Sequence, residues 1–97
     1  MKAQLQDLGN GEQSVLFDCP GCGFLHAVRV DGKSRPNWAW NRSLEAPTFQ
    51  PSVLVSWEMH GKPRICHSFV TDGRIQFLGD CTHALANQTI DLPNIED

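Results

Sequence analysis

Apolar and polar residues alternate with a period of two over most of the chain, in short runs bounded by turn formers. That period belongs to strands with one buried face; an amphipathic helix repeats at three and four. Ser14-Val15-Leu16-Phe17 is a short apolar strand that leads to Cys19, and residues 24–30 read as its return. In the return strand Leu25, Ala27 and Arg29 fall on one face, and His26, Val28 and Val30 on the other. A strand at 37–41 carries Trp38 and Trp40 on one face. Pro47 and Pro51, four apart, predict an edge or irregular connection and argue against a central strand there. Residues 52–57 are the most strand-like run of the middle, and 59–63 turn it back.

The best hairpin signal is Asp72-Gly73, a dipeptide suited to a two-residue type I′ turn, between residues 64–71 and 74–78. The implied register pairs Thr71 with Arg74, Val70 with Ile75, Ser68 with Phe77 and Cys66 with Gly79. Cys66, Val70, Ile75 and Phe77 then share one face, while His67, Phe69 and Leu78 share the other. Continuing the phase puts Cys81, and with it His83, on the Cys66 side. Residues 80–87 hold the only helix-like piece, one or two turns with Asp80 or Thr82 as N-cap. The expected fold is mostly β, zinc-ribbon-like antiparallel hairpins with one short helical segment near 80–87. It forms a single domain over 1–97, with an arm at 1–13 and a frayed acidic tail at 93–97.

Composition narrows the function. The net charge is -3 and no lysine or arginine cluster occurs, which disfavours a protein that grips nucleic acid through its phosphates. No run of about 18 apolar residues is present, so no membrane span is expected. Residues 1–7 have no apolar stretch, so secretion is not expected. The four cysteines therefore read as reduced metal ligands in preference to disulfides.

Cys19-Pro20-Gly21-Cys22-Gly23 is a zinc knuckle: two thiolates on one tight turn grip one ion but supply only half of a tetrahedral Zn²⁺ site. Cys66 is the third candidate by its face. Cys81 and His83, two apart, both qualify as the fourth, and one suffices. His26 and His67 are weaker candidates, because His26 sits too near the knuckle for an easy tetrahedral bite and His67 points away from Cys66. Four protein ligands close the coordination shell and speak for structure over catalysis. With three ligands and a water the ion would instead act as a Lewis acid. A cysteine nucleophile could be built from Cys66 or Cys81 with His67 or His83, but no local motif marks one. Trp38, Trp40, Phe49 and Trp57 read as core filling before they read as a stacking platform for bases or sugars.

These residues carry a resemblance. The knuckle with His26 after it, Trp38-Ala39-Trp40-Asn41, the 47–52 stretch, residues 66–77 and His83-Ala84-Leu85-Ala86 resemble a family of small uncharacterised phage and prophage zinc-knuckle proteins. The resemblance covers nearly the whole chain. Asn87 stands where the family pattern has glycine. Members keep the late histidine where the Cys81 equivalent is sometimes serine, which implies Cys19, Cys22, Cys66 and His83 as ligands and Cys81 as the alternative fourth. Such proteins often bear the label ammonia monooxygenase; that enzyme is a membrane-embedded copper protein, and this chain has no span to match. The resemblance implies a bacterial-cell cytoplasmic setting and a phage or prophage origin. The expected function is a non-enzymatic accessory or protein-interaction module built around one structural Zn²⁺, with an unknown protein partner. The alternatives are a nucleic-acid-binding zinc ribbon and a zinc-dependent hydrolase.

Overall fold

The computed structural model describes residues 1–33 and 35–95; Ser34 of the expected loop and Glu96 and Asp97 of the expected tail lie outside them. Among the described residues, eight strands form two antiparallel sheets. The first sheet joins β1 (Ala3–Gly9), β2 (Glu12–Cys19) and β3 (Phe24–Arg29) in that order. The second joins β4 (Ala39–Trp40), β5 (Phe49–Met59), β6 (Lys62–Thr71), β7 (Arg74–Phe77) and β8 (Thr89–Asp91), again in sequence order.

Alternation decides which side of each strand is buried. His26 and Val28 of β3 are buried while Leu25 and Ala27 are exposed; on β6, Cys66, Ser68 and Val70 are buried and Phe69 is exposed. The inward residues of both sheets merge into one core around Val15, Phe17, Val28, Phe49, Val70, Ile75 and Phe77. Phe17 and Phe49 stack across the sheets at 5.9 Å, and Phe24 meets Trp57 edge-on at 5.3 Å. Truncating one of the fully buried phenylalanines to alanine costs about 3–5 kcal/mol.

The hairpin turns follow the sequence. Asp72 and Gly73 have φ of 51° and 77°, the left-handed pair that a type I′ turn demands, and the β6–β7 register pairs Thr71 with Arg74, Val70 with Ile75 and Ser68 with Phe77. His60 and Gly61, with φ of 55° and 77°, close the β5–β6 hairpin in the same way.

Two features depart from the expected pattern. Residues 80–87 are not helical: they form turns, closed by Ala86 N–H to His83 O at 3.5 Å and Gln88 N–H to Leu85 O at 3.1 Å, and Asn87 leaves them with φ of 68°. The chain there is held by long-range bonds to β6 and β7, which outweigh the weak local preference of so short a segment. Second, β5 runs straight through Pro51 and occupies an interior place in its sheet. Its ladder with β6 shifts register between Phe49 and Val53, and β4 covers only Phe49 and Gln50. Pro51 therefore falls where neither neighbour needs its missing N–H. At the tail, Leu92 is buried and Ile95 N–H donates to Met1 O at 2.8 Å.

Candidate active site and metal centre

Strand β6 places consecutive residues on opposite faces, and chemistry collects on both. Outward, His67 lies between two side chains from distant segments. Ser52 Oγ–H donates to His67 Nε2 at 3.0 Å, and His67 Nδ1–H donates to Asp80 Oδ2 at 3.0 Å. Those two bonds assign the imidazole proton to Nδ1 and leave Nε2 as the acceptor toward the serine. A hydroxyl, a base and an orienting carboxylate in one line is the arrangement by which a serine is activated as a nucleophile.

Each member is positioned by a nameable element. Ser52 sits in the register shift of β5, directly after Pro51, where three residues of β5 face a single residue of β6. Its carbonyl accepts the indole N–H of Trp38 at 3.1 Å, which pins the bulge. His67 stands opposite Leu54 in the ladder, its side chain 25% exposed against 51% for Asp80, so the line opens to solvent. Asp80 is delivered by the segment after β7, which is bound to β6 in place of a strand. His67 N–H donates to Cys81 Sγ at 3.3 Å, and Cys81 Sγ–H donates back to His67 O at 3.2 Å. Leu78 N–H reaches the same carbonyl at 2.9 Å. One step along, Thr82 accepts Ile65 N–H on its hydroxyl at 3.0 Å and gives its own N–H to Ile65 O at 2.9 Å.

Inward, Cys66 approaches the knuckle, with its Sγ 3.8 Å from Cys19 Sγ. The ligand atoms of Cys19, Cys22, His26 and Cys66 all lie within 4.8 Å of one another, and so do those of Cys66, Cys81 and His83. Cys66 belongs to both groups. The four cysteines are free thiols. Ionisation among them is uneven: hydrogen bonding from Cys66, with His26 alongside, pulls the Cys19 thiol down to about 4. Burial and the Cys19 charge push Cys22 up to about 12, and the bond to Cys19 together with burial drives Cys66 upward as well. One negative charge is tolerated without a cation, and further thiolates require one.

The residues present fit a divalent metal. Among the described residues the imidazole Nε2 of His26 is buried with no hydrogen-bond partner, as expected of a nitrogen that faces a ligand site. His83 Nε2 is also unpartnered, but its Nδ1 accepts Leu85 N–H at 3.2 Å, which leaves the ring proton on Nε2. The His83 ring also packs directly on the knuckle, filling the place that a Cβ on Gly21 would take. The structure thus brings Cys19, Cys22 and Cys66 together, with His26 beside all three and His83 beside Cys66 and Cys81. His60, on the β5–β6 turn, belongs to neither group.

The sequence reading missed Ser52 and Asp80. Ser52 has no Gly-x-Ser-x-Gly frame, and Asp80 reads as a helix cap. Only the outward direction of His67 was visible. The tryptophans are half-buried against the core; Trp38 and Trp40 spend their indole N–H groups on Ser52 O and Ser43 O, as core residues do.

The model of the bacterial ubiquitination-like system serine protease family (BubE) matches residues 2–78, which is most of the chain. The match takes in Ser52 and His67 and stops just short of Asp80. It names a bacterial system and does not name phage or prophage proteins. No curated protein and no solved structure matches. No helix among the described residues is long and apolar enough to cross a membrane.

Proposed function

Because the chain belongs to the bacterial ubiquitination-like system serine protease family, we propose that it is a serine protease in which Ser52 is the nucleophile, His67 the general base and Asp80 the residue that orients it. The observation that carries this reading is the unbroken line from Ser52 Oγ through His67 to Asp80, with both links at 3.0 Å. Ser52 Oγ attacks the scissile carbonyl as its proton passes to His67 Nε2. His67 then returns that proton to the leaving amine, so the C–N bond breaks and an acyl-Ser52 ester remains. Water, deprotonated by the same imidazole, attacks the ester and restores the serine. Asp80 keeps the productive tautomer and stabilises the imidazolium.

This reading replaces the non-enzymatic module expected from the sequence, and it turns the expected protein partner into the substrate: a protein of the bacterial ubiquitination-like system. Exposed Leu54 and Phe69, 56% and 42% accessible on the same sheet face as His67, support contact with an extended polypeptide.

The inward cluster is proposed as a structural Zn²⁺ site held by Cys19, Cys22 and Cys66. His26 is proposed as the fourth ligand, since it completes a group close to all three thiols; His83, favoured by the sequence, is its competitor. The ion would link the knuckle of one sheet to β6 of the other and needs no part in bond cleavage.

Hydrolysis of p-nitrophenyl acetate tests the triad. Ser52→Ala and His67→Ala are expected to fall to background, and Asp80→Asn to lose about 10²–10⁴-fold in kcat. Full activity in Ser52→Ala would overturn the assignment.

A further inference from the structure

A groove of about 760 Å³ is lined by Lys33, Arg35, Trp38 and Pro51 among others. Pro51 is the residue before Ser52, and Trp38 bonds the Ser52 carbonyl, so the groove wall is joined directly to the backbone that carries the nucleophile. The chain as a whole is acidic, yet two cations stand in this wall. Among the described residues neither is paired with an acid: Lys33 Nζ donates to the backbone carbonyl of Asn10 at 2.8 Å, and Arg35 has no ion-pair partner.

Asp31, two residues before Lys33, does not cancel them. Its side chain is 2% exposed and its carboxylate is occupied by Arg29 at 2.9 Å, by the N–H groups of Gln13 and Lys33, and by Asn37 Nδ2. It acts as a hub, tying Lys33 and Asn37 to Gln13 of β2 and Arg29 of β3. Trp38 and Pro51 supply low-dielectric walls that strengthen the field of the two cations inside the groove.

Resting on the reading of Ser52 as nucleophile, we propose that the groove is a specificity subsite for a substrate carboxylate flanking the scissile bond, with Arg35 and Lys33 as the recognising groups. The carboxylate has two sources: an Asp or Glu side chain, or the C-terminal carboxylate of a chain cut close to its end. A guanidinium reads either one through paired N–H donors.

The test uses the full chain and a mixture of synthetic peptides, with cleavage sites read by mass spectrometry and a small fluorophosphonate as an independent probe of Ser52. The peptides present acidic, basic or neutral residues on each side of the bond, and each is made with a free or an amidated C-terminus. Wild type is expected to cut acid-flanked or free-carboxylate peptides about tenfold faster than neutral ones, with the preference shrinking as salt rises. Arg35→Glu and Lys33→Glu should abolish or invert that preference while fluorophosphonate labelling continues at the wild-type rate, and Arg35→Lys should keep most of it. Preference for acids next to the bond identifies the side chain as the source; loss of cutting on amidation identifies the terminus. Cleavage with no carboxylate preference, an unchanged preference in Arg35→Glu, or a labelled protein that cuts none of the peptides would each overturn the subsite and leave the triad standing. Absence of both labelling and cleavage would overturn the triad and the subsite together.

Discussion

Cys66 and His67 are neighbours in one strand, yet they face regions of opposite character. The inward side of β6 is closed: Cys66 is 1% exposed and sits among thiols that tolerate little negative charge without a cation. The outward side is open: His67 and Asp80 are reached by solvent, and apolar Leu54 and Phe69 share the sheet face of His67. The pleat separates the two, so one strand carries the thiol cluster and the Ser52–His67–Asp80 line without either crowding the other. The difference also sorts the consequences of mutation. Inward changes are expected to act on folding first and outward changes on activity first.

The largest effect is expected inward. Cys66→Ser, or treatment with a strong chelator, should remove the metal and the cooperative thermal transition, with hydrolysis lost in parallel, because metal-binding free energy is folding free energy in so small a domain. Ser52→Ala is the converse and should leave the transition where it is. A chelated protein that keeps both its transition and its activity would erase the distinction between the faces.

Metal stoichiometry of two further variants resolves the inward side. His26→Ala is expected to lose bound zinc and His83→Ala to retain it; the reverse result would move the fourth ligand to His83. Loading should release protons, since Cys22 and Cys66 hold theirs until a cation arrives, so affinity should fall as pH is lowered from 8 to about 6.

Cys81 joins the two faces through its bonds to the His67 backbone. Cys81→Ala should lower kcat by about tenfold through misplacement of Asp80 and His67, with KM little changed and a stability cost of about 1 kcal/mol. Equal losses in Cys81→Ala and Asp80→Asn would mean that the sulfur does more than hold the backbone.

The smallest effect concerns Asp31. The N–H groups of Lys33 and Gln13, with Arg29, hold its carboxyl well below the usual carboxylate range. A depressed folded value means that its stabilising contribution is present above the ordinary pKa of about 4 and is lost as pH falls toward the folded value. Thermal melts should therefore decline more steeply below about pH 4 in wild type than in Asp31→Asn.

Local rules made much of the fold legible. Asp72-Gly73 set the β6–β7 register, and the alternation of residues 24–30 and 66–70 sorted buried from exposed side chains, because both depend on near neighbours in sequence. The approach of Cys66 to the knuckle followed from the same alternation. The triad was not legible for a physical reason: its three members come from separate segments and meet only through the β5 register shift and the turns after β7. Pro51 obscured the first by reading as a strand breaker, and Asp80 obscured the second by reading as a helix cap. His67 alone pointed the right way, and a lone outward histidine names no partner.

The most direct measurement is reaction of the metal-loaded protein with a fluorophosphonate, followed by digestion and mass spectrometry of the adduct. A stoichiometric adduct on Ser52, absent in His67→Ala and slowed in Asp80→Asn, is the expected result. An adduct on another residue, or an unmodified Ser52 in a folded, metal-loaded protein, would contradict it.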